Sequence, residues 1–461
     1  MMTSTPYLMI DSRILDRVEN SALRLGRVEK DASNPLPSVD HDGRLLDEYP
    51  SWMRGYTDII YDKDEQIYKR WCAGRYGTSK DGIQWEYPRI GLYEYEGSRD
   101  NNIVHIQEVG DAPLSGMCGV IKDEHDPDPA RRYKGFQKMR RNSTAEDRRL
   151  MRHYRLWMNM VYSPDGIHWK EDLESEMPRW RGAHGDTHSS VLWDDRIQKW
   201  VLYTRMWDRD HKRVGTQGRR TVIRMESEDC CTWSFPQEVM SELPEEYWKR
   251  QVHDMGVMRY ANQYLAVLNM QTQRTEEQAG NWEGELAWSP DGISWTRICP
   301  GCLPVPRGPE GSFDDGTQSL MYMPVILDDE VRFYYHASGS GGQGYGMGLA
   351  RMKPNRFAGM APVDSDKKAL VVTRNLECTG RNLYVNADAS KGALRVGVIS
   401  HSRYDEEGII SPDECLPITT DVVDQRVEWK NDKSITALVH YPVRLYFELS
   451  GSTIYSFRFG D

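Results

Sequence analysis

Cysteine and phenylalanine are scarce in this 461-residue chain, at eight residues each. Cysteines scattered from Cys72 to Cys415 make no dense framework of the kind that staples small secreted domains, and a chain this long needs none. Long hydrophobic runs are missing too. No stretch nears the roughly 20 apolar residues of a membrane-spanning helix, so no membrane partner is expected. Positive charge is in deficit: 59 Lys and Arg stand against 70 Asp and Glu, a formal net charge of −11. Wrapping a phosphate backbone calls for a basic face, which excludes nucleic acid as a partner. Residues 1–15 hold no basic segment followed by an apolar run. The expectation is a cytoplasmic protein, or a secreted one with its leader absent.

What is abundant is Trp (15), Tyr (25) and Gly (38). Tyr and Trp favour the pleated, half-buried surface of a strand, and Gly marks tight turns between strands. The composition predicts an all-β fold of many short strands.

One string recurs. Ser79-Lys-Asp81-Gly82-Ile-Gln-Trp85 returns as Ser163-Pro-Asp165-Gly166-Ile-His-Trp169 and as Ser289-Pro-Asp291-Gly292-Ile-Ser-Trp295. A degenerate copy, Ser227-Glu-Asp229-Cys-Cys-Thr-Trp233, keeps Ser, Asp and Trp at the same offsets. Ser and Asp side chains close turns on nearby backbone N–H groups, and Gly tolerates the left-handed conformation. Each box is therefore read as a hairpin turn between two outer strands, with a structural role for its Asp.

Around the boxes run short apolar strands with a small or polar start: Asp58–Asp62, Gly119–Asp123, Ser190–Asp194, Gly256–Tyr260 and Ser319–Tyr322. A second strand follows each, over 67–72, 132–139, 199–207, 263–270 and 331–338. Repeated units of four short strands read as propeller blades. The expected architecture is a five-bladed β-propeller over 50–362, followed by a small C-terminal β-sandwich over 363–461. Residues 1–49 form an N-terminal segment packing on one or the other.

Five such blades followed by a sandwich resemble the five-bladed propeller glycosidases of glycoside hydrolase families 32 and 43. The nucleophile motif of family 32, Asn-Asp-Pro, is absent; Trp52-Met53 leads instead into Arg54-Gly-Tyr-Thr-Asp58. The resemblance implies a glycosidase acting on a furanose-like or related sugar, with a carbohydrate substrate as partner and no cofactor. A homo-oligomer is left open.

In a propeller the side chains at the start of each inner strand converge on one axial funnel. Glycoside hydrolysis needs one carboxylic acid to protonate the leaving oxygen and a second carboxylate to attack carbon or activate water. By the resemblance, Asp58 takes the blade-one base or nucleophile position, and Asp186 stands where the general acid belongs. Asp254 and Glu310 are the other carboxylate candidates. Arg54, Tyr56, His184, His188, Arg205, His253, Asp314, Asp315 and Gln318 are expected to bind substrate. Against this stands the plainer reading of Asp58 as a strand-start cap and of the histidines as hydrogen-bonded core.

Two other features have modest readings. Cys299-Pro-Gly-Cys302 has metal-knuckle spacing without a second pair, so plain thiols and no metal site are expected. Arginines at 131–132, 140–141 and 148–149 suggest a lid or an oligomer contact in a blade-two insertion. The competing functions are a phosphate-dependent glycoside phosphorylase, as among the mannoside phosphorylases, and a non-catalytic carbohydrate-binding propeller.

Overall fold

The computed structural model describes residues 5–37, 57–72, 74–94, 97–104, 117–139, 157–171, 189–208, 219–246, 249–273, 279–342, 344–400 and 409–461. The protein is all-β, a five-bladed propeller joined to a β-sandwich. Blade 1 pairs Thr57–Asp62, Ile67–Cys72 and Arg75–Ser79, with Glu86 bridging Thr78 on the outer edge. Blade 2 runs Met117–Lys122, Tyr133–Met139, Trp157–Ser163 and Lys170–Glu171. Blade 3 is Ser190–Asp194, Lys199–Asp208, Arg219–Ser227 and Gln237–Met240. Blade 4 is Arg250–Tyr260, Gln263–Gln273, Ala279–Ser289 and Thr296–Ile298. Blade 5 takes Thr317–Leu320, Val331–Ser338 and Tyr345–Met352 from its own stretch, and its outermost strand, Glu29–Lys30, from near the N-terminus.

The blades pack face to face, and each interface has its own apolar core. Trp71, Tyr133 and Trp169 fill the space between blades 1 and 2, and Phe136, Met160 and Trp200 that between 2 and 3. Tyr203, Met255 and Leu268 lie between 3 and 4, and Val267, Leu320 and Phe333 between 4 and 5. Ile59, Tyr68, Tyr334 and Leu349 join blade 5 back to blade 1, so the ring is closed. Inner strands approach closely near the axis. A Cβ on Gly256 would lie 1.8 Å from the Tyr322 carbonyl oxygen of the next blade, and one on Gly119 2.0 Å from that of Ser189. Only glycine fits such contacts.

The repeated boxes do more than turn the chain. In each full copy the Ser hydroxyl accepts the Gly N–H, and the Asp accepts the next two N–H groups. The freed Gly carbonyl then accepts from an aromatic on the second strand of the preceding blade. Trp71 Nε1–H donates to Gly166 (2.7 Å), the Tyr203 hydroxyl to Gly292 (2.8 Å) and the Tyr334 hydroxyl to Gly82 (2.9 Å). The degenerate copy has Cys230 at φ 58. Its preceding blade presents Phe136, which has no donor, and the thiol packs against Met160 instead.

A second inter-blade latch uses the last Asp of an inner strand. Asp62 accepts from Lys122 Nζ (2.5 Å) and the Tyr133 hydroxyl (2.5 Å), both in blade 2. Asp194 repeats this with Arg259 Nη1 (2.7 Å) and the Tyr264 hydroxyl of blade 4.

The sandwich has two sheets. One orders Ser21–Leu25, Ala358–Pro362, Thr453–Gly460, Asn382–Asp388 and Asp421–Arg426. The other orders Leu15–Glu19, Ala369–Thr373, Pro442–Ser450, Ala393–Ile399 and Ile409–Ile410. Val371, Leu383, Val396, Phe447 and Phe457 form its core. N-terminal strands thus lie in both sheets as well as in blade 5.

Candidate active site

Blade 4 builds the wall of the site. Its inner strand carries a β-bulge between Val252 and Asp254, so Asp254 falls opposite Asn269 and His253 is the extra residue. Bulges of this kind re-aim side chains. The result is a buried pair: His253 Nδ1 lies 2.7 Å from Asp254 Oδ2. Asn269 Nδ2 donates to Asp254 Oδ1 at 2.7 Å.

Asn269 itself is locked to the next blade. Its amide donates to the Leu320 carbonyl (3.0 Å) and accepts the Leu320 N–H (2.9 Å), mimicking one step of strand pairing. The second Nδ2 hydrogen is left for Asp254. The carboxylate orientation is therefore set by the junction of blades 4 and 5.

His253 packs on Trp282, with ring centroids 4.1 Å apart. Arg205, on the second strand of blade 3, donates Nη1 to the His253 carbonyl at 3.3 Å. Burial pushes the His253 pKa down to about 4, helped by the positive charges of Arg205 and Arg220 and opposed by Asp254. The imidazole is neutral at pH 7. A carboxylate can only accept, so Nδ1 carries the proton and Nε2 is an acceptor.

Asp58 is the second residue of the blade 1 inner strand, with 2% of its surface exposed. Its neighbour Thr57 meets His336 Nε2 of blade 5 at 3.0 Å. Buried Tyr322 feels the charge of both Asp58 and Asp254. Burial raises its hydroxyl well above the ordinary tyrosine range, and the negative charges of Asp58 and Asp254 raise it further. Ser190, which ties blade 3 to blade 4 through the Val257 backbone, and Cys118 complete this axial cluster.

The other expected site residues fall into two groups. Arg54, Tyr56, His184, Asp186 and His188 lie outside the described residues. The blade 5 set, in the loop before strand Thr317–Leu320 and at the start of that strand, has other partners. Asp314 is buried and accepts from Lys30 (2.5 Å) and from the Tyr335 hydroxyl (2.9 Å). Asp315 accepts the Gly311 and Ser340 N–H groups. Gln318 donates to the Pro306 carbonyl (3.2 Å), while Glu310 is exposed. Arg205 and Asp254 both contact His253 and Asp58 acts on the same Tyr322 as Asp254, whereas Asp314 and Asp315 hold their own loop and Gln318 ties the next strand to it.

Asn269, Trp282, His336 and Tyr322 are the residues that sequence reasoning missed. Asn269 had a signal, as a lone amide in the apolar run Tyr264–Met270. Among the described residues no group of three His, Cys, Asp or Glu side chains could hold a metal ion. A cavity of about 580 Å³, lined by Tyr7, Arg13, Asn262 and Arg374 among others, lies beyond the other end of strand Arg250–Tyr260 from His253 and Asp254.

No protein family and no curated protein matches the chain in sequence. Solved structures do resemble it. One is an N-acetylgalactosamine deacetylase from F. plautii in complex with blood group B trisaccharide, at 13% identity and a TM-score of 0.46, covering 74% of this chain and 97% of that one. Another belongs to the GH130 family of mannoside phosphorylases, which contains glycoside hydrolases that target β-1,2 mannosidic linkages in Candida mannan. It shows 13% identity and a TM-score of 0.43, over 71% of this chain and 94% of that one. A third is the Bombyx mori GH32 β-fructofuranosidase, at 9% identity and a TM-score of 0.45, with 94% of each chain covered. At these identities the fold assignment stands on the sheet pairings and the five inter-blade cores.

Proposed function

We propose that the chain is a glycoside hydrolase that cleaves a furanose-like or related sugar by paired-carboxylate chemistry at the propeller axis. The observation that carries this reading is the buried Asp254 carboxylate. It is gripped by Asn269 and a neutral His253, and it shares the axis with the buried Asp58. Preorganised acids in a low-dielectric site suit proton transfer to a leaving oxygen and stabilisation of positive charge on the sugar ring. Asp58 is assigned as nucleophile or base and Asp254 as the carboxylate that supports it. Asp186 is assigned as general acid by its place before the blade 3 inner strand. The Trp282 face and His253 Nε2 offer a stacking surface and an acceptor for sugar hydroxyls.

The test is turnover of aryl arabinofuranosides, xylosides and fructosides by the intact chain and by Asp58→Asn and Asp254→Asn, with circular dichroism to show that the fold persists. Activity lost in both folded variants is the expected result. Full activity in both, or saturable sugar binding with no turnover by the parent chain, overturns the assignment.

One observation favours a second reading. Arg205 and Arg220 set positive charge beside His253, which suits an anionic nucleophile such as phosphate. A phosphorylase would release a sugar phosphate only when inorganic phosphate is supplied.

A further inference from the structure

The Cys299-Pro-Gly-Cys302 segment follows directly on Thr296–Ile298, the outermost strand of blade 4. The Cys302 N–H donates to the Cys299 carbonyl at 2.9 Å, closing a four-residue turn. Pro300 occupies its first central position and Gly301, at φ 84, its second. That is the pattern of a type II turn, which brings its end Cα atoms within about 7 Å. Disulfides span Cα separations of roughly 4.4–6.8 Å, so the turn already sets the two cysteines at bridging distance. Both thiols are free, and Cys302 is exposed whereas Cys299 is half-buried. The Cys299 thiol donates to the Leu23 carbonyl at 3.3 Å. Leu23 belongs to Ser21–Leu25, a strand of the sandwich. The pair therefore sits on the seam between propeller and sandwich, away from the axial carboxylates.

We propose that Cys299 and Cys302 are a reversible thiol–disulfide site that reacts with low-molecular-weight disulfides. The exposed Cys302 thiolate attacks one sulfur of the small disulfide, breaking its S–S bond and releasing one small thiol. Cys299 then gives its proton to solvent and its thiolate attacks the Cys302 sulfur, expelling the second small thiol. Two protein thiols are oxidised and one small disulfide is reduced. Burial, with a smaller contribution from the neighbouring Cys302, raises the Cys299 thiol above its ordinary range, which places Cys302 first in this order. Closing the bridge removes the S–H donor that Cys299 gives to Leu23. No other two cysteines stand at this spacing, Cys230 and Cys231 being adjacent.

The experiment equilibrates the full chain with defined ratios of reduced and oxidised glutathione, traps it with acid and alkylates it. Peptide mass spectrometry then reads the segment around 299–302. The expected result is loss of two of the eight thiols, a segment lacking two hydrogens, and full recovery on reduction. Cys302→Ser, at an exposed position, should retain its remaining thiols under the same treatment. Cys299→Ser should stop at a lasting glutathione adduct on Cys302. An adduct on Cys302 that never resolves in the parent chain overturns the proposal, as does loss of two thiols in Cys302→Ser. These outcomes are read without any sugar substrate and stand apart from the glycosidase reading.

Discussion

The indole N–H of Trp71 donates to the carbonyl oxygen of Gly166 at 2.7 Å, from the second strand of one blade to the turn of the next. The same ring packs against Tyr76, Tyr133 and Trp169, so one side chain closes the core and satisfies the turn. Gly166 has φ +80, and a Cβ there would lie 2.7 Å from the Trp71 ring. Gly166→Ala should destabilise the protein by about 1–3 kcal/mol through left-handed strain and overpacking. Trp71→Phe loses both the hydrogen bond and ring volume and should cost more. Urea unfolding of the two variants checks the order, and an unchanged midpoint for Gly166→Ala counts against the clasp.

Asp62 and its Lys69, Lys122 and Tyr133 partners form a buried charged latch. Burial opposes ionisation, yet hydrogen bonds from Lys122, Tyr133 and Lys69 hold this carboxyl well below the usual carboxylate range. Removing one partner of a buried pair strands the other charge, so Asp62→Ala should cost about 3–5 kcal/mol. The folded pKa is depressed, so the stabilisation is present above the unfolded value near 4 and drains as pH falls below it. Acid unfolding of the variant should accordingly be less steep than that of the parent.

His253 titrates in a different window. Its pKa falls from 6.5 in the unfolded chain to about 4 in the folded one. Above pH 6.5 both states are neutral and the group is silent. Between 6.5 and 4 the unfolded chain takes up the proton first, and stability drops by roughly 3 kcal/mol. Below pH 4 the loss is complete. Stability curves of the parent and His253→Gln should therefore converge or cross over this interval, and parallel curves would falsify the shift.

Asn269 is a positioning residue for Asp254. Its replacement by Ala removes a hydrogen bond to a charged group, worth about 1.5–3 kcal/mol, which is roughly ten- to a hundredfold in turnover. For Asp58→Asn and Asp254→Asn the expected loss is about 10²–10⁴-fold, the range of general acid–base catalysis. Because Asn269 donates to the charged form of Asp254, its loss should lower the maximum and move the acid limb of the pH–rate profile to higher pH. A profile that keeps its position while the rate falls would mean that Asn269 acts by packing blades 4 and 5 and not through Asp254.

Much of the fold is local chemistry and was legible in the chain. Ser, Asp, Gly and Trp at fixed offsets close a tight turn, and short runs of strand-favouring residues over 263–270 or 331–338, bounded by turn residues, read as strand. Repetition then implies blades. The acidic candidates were legible only as residues at strand starts. Asp58 and Asp254 both act on the buried Tyr322, whereas Asp314, with the same local appearance, is taken by Lys30 from the far end of the chain. No window around Asp314 contains that information.

Eight cysteines spread from Cys72 to Cys415 are too few and too scattered for a dense disulfide framework. Composition, box chemistry and periodicity were enough for an all-β chain built of repeated blades, because each rests on bonds between residues a few positions apart. Three things depended on tertiary structure: the outer strand that Glu29–Lys30 lends to blade 5, the bulge at His253, and the grip of Asn269 on Leu320 and Asp254. Each joins segments whose pairing register is set by packing across the ring or along the chain, and a two-residue strand or a single bulge leaves no periodic trace.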